Sequence, residues 1–367
     1  MPKPTATSEP TEIPTLAATS TPAERLVYPE GLSAVFVNSD GSNEEKIELF
    51  SPDSIPADTV LDIRPSPDGR YLAFGAVTGF YQPGTYYSAM HIMDLQTKSV
   101  NLVTNTWNQL GGGASWSPDS RRLVLSNNRI VVWDNNANQL EHLTSYGDVQ
   151  MHHLYSVWSP DGKYIVFACF ESERSFPDPS TNNHGKLCIM HPDGTNLKVL
   201  VDQALLLGGS QWDILDTEYN VFAWSPDSQW IAYMVGDVEP DIAIVNIETG
   251  ETRMLVSGPG RDVNPDWSPD GSRIVFSSNR NSKYEIFTVG ANGEGLANLT
   301  PDSEADNLSP FWSPTGNHIA WLSVTITTLP SQTDITSLGV VMNPDGSGKM
   351  DVGASVRPLV WIRSQTP

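Results

Sequence analysis

A short phrase with the consensus Trp-Ser-Pro-Asp-Gly recurs along this chain of 367 residues, and a run of β-branched and aromatic residues follows each copy. Consecutive tryptophans of the phrase are 42, 66, 43 and 45 residues apart. A repeat of about 40 to 50 residues is typical of a propeller or a solenoid. The five tryptophan-containing copies begin at Trp116, Trp158, Trp224, Trp267 and Trp312, and a variant copy runs through Pro65, Ser66, Pro67, Asp68 and Gly69.

The repeat unit over residues 264–299 predicts four strands. Its Ser-Pro-Asp-Gly segment is a turn, because proline presets φ and glycine supplies a positive φ without a steric clash. Asn292-Gly293 is a hairpin signal. The segments with strand composition are 265–267, 273–276, 284–289 and 296–299. Four strands per unit is the pattern of a β-propeller blade.

The blade count follows from two partial repeats at the chain ends. Outer-strand pairs occur seven times and the phrase six times, with the extra pair starting at Ala34. The missing inner strand is found near the C-terminus, where residues 356–361 resemble residues 263–267 and place Trp361 in step. We therefore expect an all-β chain with seven four-stranded blades, closed by N- and C-terminal strands. Six blades with a spare hairpin is the alternative.

The phrase and the outer-strand pattern resemble the TolB-like, WD-related propeller repeats over residues 32–363. This resemblance implies the fold. It leaves the function open, because that repeat family includes periplasmic scaffold proteins, the propeller halves of prolyl-type peptidases and lyases of pectin fragments. We expect a propeller domain over residues 27–367.

Charge and hydropathy exclude several partners. The formal net charge is −22 and is spread over the domain, which argues against nucleic acid and anionic membranes. It permits cationic partners or divalent cations, although a soluble extracellular surface is the favoured explanation. No apolar run approaches the ~18 residues that a transmembrane helix needs. We expect a monomer without a transmembrane segment.

Residues 1–26 form a Thr/Pro-rich leader with too few large apolar side chains to order itself. It lacks the apolar core of a signal peptide. Stalks of this composition often separate a membrane anchor from a folded domain in exported bacterial proteins. We expect an extracytoplasmic protein of the periplasm or cell surface, lipid-anchored in its full-length form. A cytoplasmic protein with a disordered leader is the alternative.

The two cysteines, Cys169 and Cys188, lie on strands expected to be antiparallel neighbours. A disulfide would clamp the loop between them and would fit an oxidising compartment. Two separately buried thiols are the alternative.

The usual catalytic motifs are missing from the sequence, namely GxSxG, HExxH, GxxxxGK[ST] and CxxC. We therefore assign no catalytic residue. His152 and His153 are weak metal candidates, because propeller lyases of pectin fragments hold a divalent metal with channel histidines. Adjacent strand residues point to opposite faces, so at most one of the two would face inward, and a structural role is the alternative.

Acidic and amide side chains precede the inner strands and should rim one mouth of the channel. They are Asp213, Asp262, Asn264, Asp266 and Asp306. Such a ring could hold Ca²⁺, which takes oxygen ligands, or dock a basic peptide. Turn formation and solubility are the favoured explanation. The phrase aspartates, by contrast, should cap their own turns, and Thr315 should make the weaker hydroxyl version.

Three segments break the repeat, at residues 79–87, 171–186 and 203–219. Loops on a rigid scaffold commonly carry function, and exposed aromatics such as Tyr81, Tyr86 and Trp212 are typical interface anchors. A small core under each loop is the alternative.

These features favour a non-enzymatic, exported binding or scaffold propeller that recognises a protein, peptide or glycan through one face and the channel mouth. A metal-dependent carbohydrate lyase or hydrolase with its site in the channel is the alternative, and a purely structural module is a weaker third.

Overall fold

The computed structural model describes residues 24–50, 59–80, 86–107, 113–126, 129–144, 151–171, 184–205, 221–236, 239–301, 303–328, 333–354 and 359–363. Throughout these ranges the regular structure is β, and 28 strands build seven blades of four antiparallel strands each. No helix within them is long and apolar enough to cross a membrane. The predicted seven-bladed propeller is confirmed.

Blade 1 combines strands from both ends of the propeller, and blades 2 to 7 follow in chain order. Blade 1 consists of β28 (Val360–Arg363), β1 (Glu24–Glu30), β2 (Ser33–Asn38) and β3 (Glu45–Glu48). Blade 2 consists of β4 (Thr59–Pro65), β5 (Tyr71–Phe80), β6 (Tyr86–Asp94) and β7 (Val100–Trp107). Blade 3 consists of β8 (Ala114–Trp116), β9 (Arg122–Ser126), β10 (Ile130–Asp134) and β11 (Gln139–His142). Blade 4 consists of β12 (Met151–Trp158), β13 (Ile165–Glu171), β14 (His184–Met190) and β15 (Lys198–Leu205).

The remaining three blades complete the ring. Blade 5 consists of β16 (Phe222–Trp224), β17 (Trp230–Val235), β18 (Asp241–Asn246) and β19 (Thr252–Val256). Blade 6 consists of β20 (Asp262–Trp267), β21 (Arg273–Asn281), β22 (Lys283–Gly290) and β23 (Ala297–Asn298). Blade 7 consists of β24 (Asp306–Trp312), β25 (Ile319–Thr328), β26 (Thr333–Met342) and β27 (Met350–Ala354). A single bridge between Leu205 and Met234 also joins blades 4 and 5.

Both chain ends close the ring in blade 1. Strand β28 pairs with β1, with Leu26 opposite Trp361 and Glu24 opposite Arg363. An open ring would leave the unpaired edges that this pairing removes. Strand β1 begins at Glu24, within the range assigned above to the leader, because residues 25–28 (RLVY) form the second strand of the blade, as RIVF does in blade 6.

The hydrophobic core is divided among the blade interfaces. Six clusters of buried side chains fill the seven interfaces, and the largest of them covers both the contact of blade 4 with blade 5 and that of blade 7 with blade 1. Phe74, Phe167 and Phe276 occupy the same position in the second strands of blades 2, 4 and 6, and each is fully buried. Each blade is therefore stabilised by its two neighbours.

The phrase turns are held by their own side chains, as the sequence predicts. In blade 6 the Ser268 hydroxyl donates to Asp270 at 2.6 Å and accepts the Arg273 N–H at 2.9 Å, while Asp270 also accepts the Ser272 N–H. In all six phrases the serine hydroxyl accepts the N–H of the residue five positions later. Thr315 accepts the Asn317 N–H at 3.4 Å, which is the weaker hydroxyl version.

The ring has two ends, which differ in their connections. The turn face is the end at which the inner strands finish, and it carries the phrase turns and the connections between third and fourth strands. The loop face is the opposite end, where the inner strands begin and the second strands connect to the third. The carboxylate of Glu24 accepts the Thr315 N–H at 2.7 Å and lies 3.3 Å from His318, so β1 starts and β28 finishes at the turn face.

Ring closure gives a first testable prediction. Trp361 is 8% exposed in the closing strand, and replacing it with alanine should lower the free energy of unfolding by about 3–5 kcal/mol, because a large cavity opens between blades 7 and 1. Denaturant unfolding of the purified protein measures this.

Leu197→Ala is the control, since this side chain is 47% exposed and exposed substitutions usually change stability by less than about 0.5 kcal/mol. An equally small effect of Trp361→Ala would contradict closure by β28.

Candidate binding face and channel mouth

Blades 2 and 7 carry long second and third strands that extend at the loop face. Strands β25 and β26 are ten residues each and pair along their whole length, whereas β9 and β10 of blade 3 have five. The pairs from Thr325–Thr336 to Thr328–Thr333 lie past the points where β24 and β27 are paired. Strands β5 and β6 of blade 2 extend in the same way past the start of β4. These two-stranded extensions are called the ribbons of blades 2 and 7 below.

Blade 1 lies between the two ribbons. Its second and third strands are joined by only two residues, Gly31 and Leu32, and Gly31 takes the positive φ of +62° that this tight turn requires. Within the described residues, the second and third strands of blade 1 are therefore shorter than those of blades 2 and 7 on either side. Ile335, on the blade 7 ribbon, is 42% exposed, and Leu338 below it is 37% exposed.

Four inner strands carry a β-bulge three residues before the phrase tryptophan or its equivalent. At each bulge the register shifts, and the residue has φ between +52° and +57°. These residues are Asp62, Tyr155, Asn264 and Ser309. Positive φ is uncommon outside glycine, and bulges of this kind redirect side chains near functional sites. Of the predicted mouth residues, Asn264 is thus a buried bulge residue.

Asp262 is buried and paired within its own blade. Both of its carboxylate oxygens accept hydrogen bonds from the Arg280 guanidinium, at 2.8 and 2.9 Å. Burial raises the pKa of Asp262, while the hydrogen bonds from Ser278 and Arg280 oppose the shift. Burial also raises the pKa of neighbouring Asp241, and the charge of Asp262 adds to this. The mouth here holds an internal ion pair.

Asp306 and Asp266 tie blade 6 to blade 7. Asp306 accepts the Tyr284 N–H at 3.0 Å and the Lys283 ammonium at 2.8 Å. Asp266 accepts the Trp312 N–H at 2.8 Å. Burial raises the pKa of Asp266 to about 7, although the N–H groups of Trp312 and Trp267 favour the charged form. Both carboxylates therefore hold the scaffold together.

Asp62 and Arg64 form a comparable internal pair in blade 2. The Arg64 Nε lies 2.7 Å from the Asp62 carboxylate. Burial raises the pKa of Asp62 because desolvation outweighs the effect of Arg64.

The weak metal candidate His153 lies in the interface of blades 3 and 4 rather than in the channel. Its ring packs edge-on against Phe167 at 5.1 Å, and its Nδ1 lies 3.1 Å from the Thr144 hydroxyl. It is buried directly opposite Cys169. The side chain of His152 lies outside the described residues. Within the described ranges no three His, Cys, Asp or Glu side chains form a group that could hold a metal.

Cys169 and Cys188 form a disulfide between the second and third strands of blade 4. Their Cα atoms are 6.2 Å apart, and both residues are buried. The bond joins β13 to β14 on the side of the loop face, where these strands connect.

The other predicted contact residues lie outside what the structure describes. This holds for Tyr81, Trp212 and Asp213, for the side chain of Tyr86 at the start of β6, and for most of the three irregular loops. The basic partners Arg280 and Lys283 were not anticipated from the sequence. The sequence feature that could have identified them is a pair of basic residues close to the turn between β21 and β22, in a chain with only 21 basic residues.

Comparisons with known proteins agree with this architecture. The family model described as the TolB β-propeller domain matches residues 176–326. An uncharacterised protein of Agrobacterium fabrum is 26% identical over 276 residues, which are 72% of this chain and 82% of that protein. A putative TolB structure from Agrobacterium tumefaciens has a TM-score of 0.51 at 20% identity, over 73% of this chain and 89% of that one.

An oligogalacturonate lyase structure from Vibrio parahaemolyticus has a TM-score of 0.61 at 14% identity, over 90% of this chain and 86% of that one. At such identities the structural likeness shows the fold alone.

The carboxylate of Asp266 gives a pH prediction. Its folded pKa of about 7 lies above the ordinary value of 3.8, so the folded state binds this proton more tightly than the unfolded state. The stabilisation is fully present below about pH 4 and is lost as the pH rises through 7. The wild type should therefore lose stability relative to Asp266→Asn between pH 5 and pH 8, as measured by urea unfolding.

Asp345→Asn is the matched control. Hydrogen bonds from Ser347 lower the pKa of Asp345, so its ionisation is complete below pH 5 and its difference from the wild type should be constant over the same range. Parallel curves for Asp266→Asn and the wild type would contradict the raised pKa.

Proposed function

We propose that this TolB-like β-propeller is a non-enzymatic binding module that recognises a protein, peptide or glycan partner through its loop face and channel mouth, outside the cytoplasm. The observation that carries the proposal is the pair of ribbons on blades 2 and 7, which flank the short blade 1. Extensions of repeat units on one face of a solenoid or propeller commonly form the binding face.

The position of the chain ends supports the same orientation. Strand β1 begins and β28 ends at the turn face. A leader that tethers the protein through Glu24 would thus leave the loop face directed away from the anchor. A binding surface at the loop face would meet partners without hindrance from the tether.

The blade 7 ribbon has the chemistry to hold an extended peptide. Past Val324 on one strand and before Leu338 on the other, the ribbon strands lie beyond the pairing of β24 and β27. Its residues are mostly threonine and isoleucine, with Asp334 as the single charge among residues 325–328 and 333–337. Sheet edges of this kind bind a further strand through main-chain hydrogen bonds.

An extracytoplasmic location is part of the proposal. The disulfide between Cys169 and Cys188 supports it, because such bonds persist in oxidising compartments and are rare in the cytosol. The Thr/Pro-rich composition of the leader supports it as well.

The alternative, a metal-dependent carbohydrate lyase or hydrolase, has the fold-level likeness to the oligogalacturonate lyase in its favour. The three described acidic residues that the sequence assigned to the mouth are each engaged by an internal donor, namely Arg280 for Asp262, the Trp312 N–H for Asp266 and Lys283 for Asp306. Binding a metal with them would require breaking these contacts, which is why the binding module is preferred.

Site-specific photo-crosslinking tests the proposed face. Thr327 is exposed on the blade 7 ribbon, and Asn136 is exposed at the turn face of blade 3. With p-benzoylphenylalanine at position 327, irradiation of producing cells should give a discrete adduct of higher mass, because a partner seated on the ribbon lies within reach. Mass spectrometry of the adduct then distinguishes a protein or peptide from a glycan.

The same label at position 136 is the matched control and should not give the adduct that forms at position 327. Adducts that form at position 136 and not at 327, or at neither position, would argue against the loop face as the partner surface.

Thermal unfolding with EDTA, Ca²⁺ or Mn²⁺ separates the two candidate functions. A metal that binds only the folded state at a hundred times its Kd adds about 2.7 kcal/mol. The binding-module proposal predicts superimposable melting curves in all three conditions. A midpoint raised by Ca²⁺ or Mn²⁺ and lowered by EDTA would instead favour the metal-dependent enzyme.

A further inference from the structure

A recurring contact covers the tryptophan of one blade with a side chain from the blade before it. The covering residue stands five positions after the phrase serine. In two interfaces the ring centres are 5.8 Å apart for Tyr71 and Trp116 and 6.0 Å apart for His318 and Trp361. In two others an arginine Cζ lies over the indole ring centre, at 4.7 Å for Arg122 and Trp158 and 4.9 Å for Arg273 and Trp312. Two of these four covers are arginine guanidinium groups, which are attracted to the ring face.

The interface of blades 5 and 6 departs from this arrangement. The covering position is Trp230, and the tryptophan to be covered is Trp267. Both side chains line a cavity of about 280 Å³ at the turn face. Asp227, Asp270 and Ala291 also line this cavity, which is called the Trp230–Trp267 cavity below.

Its lining matches the surroundings of an arginine elsewhere in the ring. The Arg273 guanidinium lies over Trp312, donates to the Pro344 carbonyl at 3.4 Å, and lies near enough to Asp270 to lower the pKa of that carboxyl as a minor cause. Aligning blade 5 on blade 6 places Trp267 at the position of Trp312, Ala291 at that of Pro344, and Asp227 at that of Asp270. The cavity therefore has a lining like that around Arg273, but blade 5 has Trp230 at the position that Arg273 occupies in blade 6.

The charges around the cavity favour a cation. Neither Asp227 nor Asp270 takes part in an ion pair shorter than 4 Å with the described residues. The one basic side chain in the lining, Arg253, lies 4.1 Å from the Trp230 ring centre and is paired with Glu251 at 3.3 Å. Hydrogen bonds from Ser268 and Ser272 lower the pKa of Asp270 to about 2, so it is charged at neutral pH.

We propose that the Trp230–Trp267 cavity binds the guanidinium group of an arginine side chain on a partner protein. Pockets for drug-sized ligands span roughly 300–1,000 Å³. The cavity, at about 280 Å³, is just below this range and has room for a single side chain. The guanidinium would lie against Trp267 with the Asp227 and Asp270 carboxylates beside it, as Arg273 does against Trp312. Because the cavity is at the turn face, this site is separate from the loop face and does not depend on the function proposed for it.

The test is a titration of the full chain with acetyl-Ser-Arg-Ser-amide, followed by the indole N–H signals of Trp230 and Trp267 in ¹H–¹⁵N NMR spectra. The arginine peptide should shift both signals saturably. The citrulline peptide, which has the same shape without the charge, should bind at least about tenfold more weakly, because charge-assisted hydrogen bonds and the cation–π contact are lost. The lysine peptide should also bind more weakly, since it lacks the planar guanidinium.

Two variants locate the site. Trp230→Arg supplies the guanidinium from the chain itself, as in blades 3 and 6, and should abolish peptide binding. Asp270→Asn keeps the acceptor for Ser268 and Ser272 but removes the charge, and should weaken binding several-fold while the thermal midpoint confirms folding. Asp119→Asn makes the same change in the turn of blade 3, where Arg122 already covers Trp158, and should leave binding unchanged.

Three results would overturn the proposal. The first is the absence of a saturable shift with the arginine peptide. The second is equal binding of the citrulline or the lysine peptide. The third is a loss of binding in Asp119→Asn as large as that in Asp270→Asn.

Discussion

The packing of a tryptophan at the end of each inner strand against the preceding blade is the contact on which the ring depends. Six such tryptophans, in blades 1 and 3 to 7, are 4–8% exposed. Each aromatic side chain buries roughly 150–250 Å², and in blade 3 the indole N–H of Trp116 also donates to the Arg64 carbonyl of blade 2 at 3.0 Å. The serine and aspartate that follow fix the turn that carries the chain away from this contact. The five residues of the phrase therefore act as one structural unit.

Much of the fold could be predicted because it repeats. The phrase located six inner strands, and the likeness of residues 356–361 to residues 263–267, with Trp361 in step, located the seventh, so closure by both termini followed from the repeat. The second strand of blade 1 was not identified from the sequence because no Pro-Asp turn precedes residues 25–28, although they have the pattern of the other second strands. The hydrogen bonds of the turns were predictable because they are local, joining residues within five positions.

The channel mouth was harder to predict, because its chemistry depends on partners that are distant in sequence. Asp262 and Asp306 begin inner strands, as residue order suggested. Their donors lie elsewhere in the sequence: Arg280 is on the next strand of the same blade, and Lys283 is on the preceding blade. The bulges add a second obstacle. An extra residue such as Tyr155 interrupts strand alternation, so a period of two no longer assigns side chains to faces, as the placement of His153 illustrates.

The pairing of β1 with β28 has a consequence for how the chain acquires its structure. It joins Glu24 to Arg363, so blade 1 lacks its inner strand until the other six blades have been synthesised. Bringing together ends separated by more than 330 residues costs roughly 5 kcal/mol in chain entropy. During vectorial synthesis, blades 2 to 7 can assemble in order while β1 keeps an open edge. The pairing of β28 then decides whether these blades become a closed ring or an aggregation-prone arc.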